Sequence, residues 1–68
     1  MRPEKWFFTF GAGQENDGYY VIINNCGFSQ AREKMRAKYG MQWCGQYTQT
    51  QFNELDLANR MELLEELN

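Results

Sequence analysis

The chain has 68 residues, no histidine, two cysteines, eleven aromatic residues and a net charge of −2. Such a length fits one small domain, residues 1–68, whose core must come from large side chains, because a chain this short buries only about 60% of its unfolded surface. No apolar run reaches the roughly 18 residues of a membrane span, and Met1-Arg2-Pro3-Glu4-Lys5 leads into a strand-like segment instead of a signal-peptide core, so a cytoplasmic, membrane-free protein is expected.

Lys5–Phe10 and Tyr19–Asn24 are aromatic and β-branched, and the Gly11–Gly18 segment between them is turn chemistry, which predicts a β-hairpin with a long tip. Alternation places Trp6, Phe8 and Phe10 on one face of the first strand and Phe7 and Thr9 on the other; Tyr19, Val21 and Ile23 likewise oppose Tyr20 and Ile22. The wholly aromatic face, Trp6, Phe8 and Phe10, is the predicted core.

Ser29 as N-cap, Gly40 as C′ residue, and Phe28, Ala31, Met35 and Tyr39 at spacings of three and four predict an amphipathic helix. Its exposed sides carry Arg32, Lys34, Arg36 and Lys38 against a single Glu33. A third strand is expected over Met41–Thr48, with Met41, Trp43 and Tyr47 on one face and Gln42, Cys44 and Gln46 on the other.

Thr48 or Thr50 would cap a second helix through Gln51–Leu55, and Asp56 would cap a segment from Leu57 to Leu67. As one straight helix these residues would have two apolar edges, Leu57, Met61 and Leu64 on one and Phe52, Leu63 and Leu67 on the other. Either the helix breaks near Asp56, or one edge packs on the sheet and the other on a partner. Residues 50–68 are thus expected as an acidic helical end. Residues 52–68 hold five acidic side chains and one basic, against four acidic and six basic in residues 1–51. Such asymmetry concerns partners more than fold.

The expected fold is α+β: a three-stranded antiparallel sheet in the order β-β-α-β-α, spatial order 2-1-3, with both helices on one face.

Little here suggests catalysis or a cofactor. Without histidine no nucleophile–base pair is visible, and an enzyme is not expected. Cys26 and Cys44, with seventeen residues between them and no CxxC, cannot complete a thiol–imidazole zinc site, and two reduced, half-buried thiols are expected. The glycines of Gly11-Ala12-Gly13 join two strands and lack the following lysine of a phosphate loop.

Binding remains. Glu54, Glu62, Glu65 and Glu66, along one side of the final helix, form the first candidate contact surface for a basic partner, and Gln14, Glu15, Asn16 and Asp17 at the hairpin tip form the second. A different class, a single-stranded nucleic-acid binder, would stack bases on Phe7, Tyr20 and Tyr47 beside Arg32 and Arg36. In a third class, an assembly subunit, the two apolar edges of the last segment would hold a homo-oligomer together.

The blocks "KWFFTFGAGQ" (5–14), "GYYVII" (18–23), "AREKMRAKYG" (31–40) and "QWCGQYT" (42–48) resemble a family of small proteins from phages and mobile elements of Gram-positive bacteria, over roughly residues 4–52. Many relatives carry a Gly-Cys-Gly-Gln-x-His pattern in the first hairpin. Ala12 and Asn16 stand at the corresponding cysteine and histidine positions, so no metal or thiol role carries over. The genomic habitat of that family implies an inhibitor of host defence, an anti-CRISPR protein acting on a type II Cas9 effector in the host cytoplasm. It would work by stoichiometric contact, without a cofactor, blocking guide or target-DNA loading or a domain movement.

Overall fold

The computed structural model describes residues 4–40 and 42–67. Strands β1 (Lys5–Thr9) and β2 (Tyr19–Asn24) are followed by helix α1 (Phe28–Tyr39), strand β3 (Gly45–Thr48), helix α2 (Gln49–Glu54), a 3-10 turn (Leu57–Asn59) and strand β4 (Glu62–Leu67). The fold is α+β, with a mixed four-stranded sheet in the order β3-β1-β2-β4.

The hairpin forms as its alternation dictates, with Phe7 opposite Ile22 and Phe8 opposite Val21. On its other side β1 pairs antiparallel with β3, placing Phe7 opposite Tyr47 and Phe8 opposite Gln46. This is the expected 2-1-3 core of the sheet. The expected third strand is shorter than Met41–Thr48, however, and Met41 lies outside the described residues. Because regular pairing begins only at Gly45, Trp43 escapes the alternation: it packs on the α1 side while Tyr47 faces α2.

Helix α1 begins one residue before the expected Ser29 cap; Gly27 is its N-cap, and the Gly27 N–H donates to Gln30 Oε1 at 3.0 Å. It ends at Gly40, whose φ of 65° suits a residue without Cβ and whose N–H closes on the Arg36 carbonyl at 2.9 Å. Thr48 caps α2 reciprocally: its hydroxyl accepts from Gln51 N–H at 3.2 Å, and Gln51 Oε1 accepts from Thr48 N–H at 3.0 Å.

The largest departure is at the C-terminal end. The helical pattern does not run on to Leu67. Asp56 adopts a left-handed conformation with φ 57°, the chain makes a 3-10 turn, and residues 62–67 become a strand parallel to β2. The register shifts between the pairs formed by Tyr20 and Val21, so that Tyr20 lies beside Leu63 and Val21 beside Glu65, with Leu64 as the extra residue.

A strand there also changes where the helices lie. The β2-α1-β3 connection runs one way across the sheet, and β3-α2-β4 runs back the other way. Two right-handed crossovers in opposite directions must pass over opposite faces. The one-face arrangement is therefore replaced by a helix on each side. Trp6, Phe8, Phe10, Val21, Ile23, Ala31 and Met35 fill the α1 side, whereas Phe7, Ile22 and Phe52 are buried on the α2 side with Tyr20, Tyr47 and Leu57 around them.

Candidate functional site

The acidic residues expected along one helix face are divided by the strand. Glu65 lies on the α1 side, where Lys38 Nζ forms an ion pair with its Oε1 at 2.7 Å and the Tyr39 hydroxyl donates to its Oε2. Glu66 lies on the α2 side and accepts from Asn24 Nδ2 at 2.7 Å. Glu62 is exposed beside Tyr19, and Glu54 is exposed at the end of α2. A period of two sends neighbours to opposite faces where a period of 3.6 would have gathered them.

Other candidates come together. Tight turns close the hairpin tip: Gln14 N–H donates to the Gly11 carbonyl, Asp17 N–H to Gln14, and Tyr19 N–H to Asn16. At its base the Gly18 carbonyl accepts from Glu62 N–H at 3.0 Å, which joins the tip to the start of β4. Glu15 and Asn16 then face Lys38, Tyr39, Leu64 and Glu65 across a cleft of about 500 Å³. The tip and the acidic strand are two parts of one end of the molecule.

Strand β4 is the edge of the sheet. Among the described strands only β2 adjoins it, so its outward-directed backbone groups meet no strand. Glu62 and Glu66 are exposed, as are Leu63 and Leu64, at 46% and 37%. The strand carries three carboxylates and no cation.

The proposed stacking surface of Phe7, Tyr20 and Tyr47 does not survive as composed. Phe7 is buried, its ring stacked on Phe52 with centroids 4.3 Å apart, and Tyr20 packs on the same ring at 4.8 Å. Arg32 and Arg36 belong to α1 on the opposite side of the sheet, so α2 takes the place where bases would stack. Arg32 instead lies over the rings of Phe28 and Trp43, 5.6 and 5.1 Å from their centroids. Trp43 Nε1 donates to the Gly40 carbonyl at 3.1 Å, and its ring, packed against the α1-side cluster, sits beside the arginine.

The two thiols differ from each other: Cys26 is buried beneath α1 and Cys44 is exposed, and both are free. Among the described residues no cluster of three or more Cys, Asp or Glu side chains is placed to hold a metal ion. No described helix is long and apolar enough to cross a membrane.

Lys38, first by its hydrogen bond, and then Tyr39 hold the Glu65 carboxyl below its usual range. Burial, and then the hydrogen bond and charge of Glu65, push the Tyr39 hydroxyl well above its ordinary value. A lowered carboxyl stabilises the fold above its unfolded pKa and loses that contribution as pH falls through the folded one; a raised phenol is stabilising below about pH 10 and is lost above it. Stability is therefore expected to decline below about pH 4.5 in a step that Glu65→Gln reduces, as measured by urea melts at graded pH. An unchanged acid limb in E65Q would mean that this contact adds nothing. The ion pair is partly open to solvent, so the step is expected to be small.

No protein-family model, curated protein or solved structure matches this chain.

Proposed function

We propose that this chain is a non-enzymatic, phage-type binding protein that inhibits a bacterial defence nuclease of the Cas9 class by direct contact, and that β4 is its docking edge. The observation that supports this reading is the edge itself, six residues long, open on one side, with Glu62, Leu63, Leu64 and Glu66 exposed. An extended segment of a partner adds to such an edge through main-chain hydrogen bonds, and side chains beside the new strand set specificity. Carboxylates on both faces favour a basic segment and oppose self-pairing, since like charges brought opposite one another destabilise a ladder. Surfaces on which a nuclease holds guide or target strands are rich in lysine and arginine and suit such an edge. The adjoining hairpin tip, with Glu15 and Asp17 exposed, extends the same acidic end.

A cleavage assay with guide-loaded Cas9 from a Gram-positive host tests the reading. Cleavage is expected to stop near an equimolar ratio, and the exposed double variant Glu62→Lys/Glu66→Lys, with an unchanged melt, is expected to require roughly tenfold more protein. Complete cleavage at a large molar excess of the wild-type chain would overturn the proposal. Full inhibition by the double variant would remove β4 from it.

A further inference from the structure

Beyond the acidic edge, the opposite character appears along α1. Ser29, Arg32, Glu33, Arg36 and Trp43 line an open groove of about 210 Å³. Arg32 and Arg36 are one turn apart on the helix and point to the same groove. Neither guanidinium has an ion-pair partner among the described residues, where Lys38–Glu65 is the one salt bridge. Among the described residues Glu33 is the one carboxylate lining the groove and has no ion-pair partner, leaving two guanidiniums against one carboxylate.

Arg32 is held in position. It rests over Phe28 and Trp43, and its Nη1 donates to Gln46 Oε1 in a long contact of 3.5 Å. Gln46 is anchored in turn by donating from Nε2 to the Phe28 carbonyl at 3.2 Å. A guanidinium stacked on rings keeps its planar N–H edge free for an oxyanion and loses little side-chain freedom when it binds one.

We infer that this groove binds the phosphodiester backbone of a single-stranded nucleic acid. Paired guanidiniums select an oxyanion, and rings at the same place select a ligand with bases to stack. Phe28 is half exposed, at 50%, and Trp43 is partly so. An acidic peptide would use the arginines and leave the rings idle. The groove is smaller than the roughly 300–1,000 Å³ of enclosed small-molecule sites and is open, which suits a strand passing along the helix. The site lies on the α1 side of the sheet and does not depend on the β4 edge for its residues.

The test is an anisotropy titration of a fluorescent oligothymidylate of about 12 nucleotides, a length within the span that small single-strand binders cover, repeated at several salt concentrations. Two neutralised phosphates give a slope of log K against log salt of about −1.4, and Arg36→Gln is expected to bring it to about −0.7 with the melt unchanged. Arg32→Lys keeps the charge and loses the planar fork, so it is expected to weaken binding without restoring wild-type affinity. The Glu62→Lys/Glu66→Lys variant should bind no more weakly than the wild-type chain, which separates this site from the docking edge. Absence of saturable binding at low salt, or a slope unchanged in R36Q, would overturn the inference. Equal affinity for inorganic phosphate or thymidine monophosphate would overturn the assignment to a polymer.

Discussion

Phe52→Ala is expected to destabilise the protein by about 3–5 kcal/mol, the range for removing a large buried aromatic side chain. Phe52 is 1% exposed and is the only α2 residue buried in the core among those described. It stacks on Phe7 at 4.3 Å and meets Tyr20 at 4.8 Å, so its loss leaves a void between the helix and the sheet that neither short α2 nor the paired strands can close. A chain of 68 residues has roughly 3–10 kcal/mol of total stability to lose. A urea melt of F52A should show a collapsed midpoint or no cooperative transition at all. A shift under about 1 kcal/mol would mean that the second face of the sheet does not carry a packed layer.

Ending the chain after Met61 is expected to have an effect of similar size. The truncation removes β4 and leaves β2 with one neighbour, although Val21 and Ile23 in β2 are fully buried in the intact protein. It takes away the packing of Leu67 on the α1-side cluster, worth about 1.5–3 kcal/mol for a fully buried leucine and less for this partly buried one. It also removes the β2–β4 backbone hydrogen bonds, each worth about 0.5–1.5 kcal/mol net, and the Lys38–Glu65–Tyr39 contacts. Together these amount to several kcal/mol. An acidic helix lying in solvent would be dispensable, so a truncated chain that melts with the full-length one would refute the strand. Circular dichroism distinguishes a lost fold from a lost end.

The local elements were legible because their signals are local. Alternation alone sets which residues of β1 and β2 share a face, and it correctly puts Trp6, Phe8 and Phe10 in the core, at 8%, 0% and 3% exposure. Gly40 ends α1 and Thr48 starts α2 because their roles depend on backbone conformation and hydrogen bonds within a few residues. The second layer was not legible, since both helices were expected on one face of the sheet. Phe7, Tyr20, Ile22 and Tyr47 make the other face apolar enough to require a cover, but only the direction of the last crossover shows that α2 supplies it.

The last segment, Met61-Glu62-Leu63-Leu64-Glu65-Glu66-Leu67, is composed of residues with high helix propensity and no β-branched side chain. Propensity differences of a few tenths of a kcal/mol per residue are outweighed when a strand position completes the pairing of β2 and seats Leu67 on the core. The candidate sites depend on the same outcome. The acidic stripe was a property of a helix, and as a strand the same residues divide into Glu65 on one face and Glu66 on the other. The basic groove needed Trp43 beside Arg32, a contact between residues eleven apart that no periodicity announces.

By itself the sequence determined a small α+β domain with an aromatic hairpin core, a basic α1 and an acidic end, since composition, alternation and capping act over a few residues. Tertiary structure decided that the acidic end is an edge strand, that the sheet is covered on both sides, and that Arg32 meets Trp43. Those outcomes rest on pairing and burial between segments distant along the chain, whose free energy exists only once the partner surface has formed.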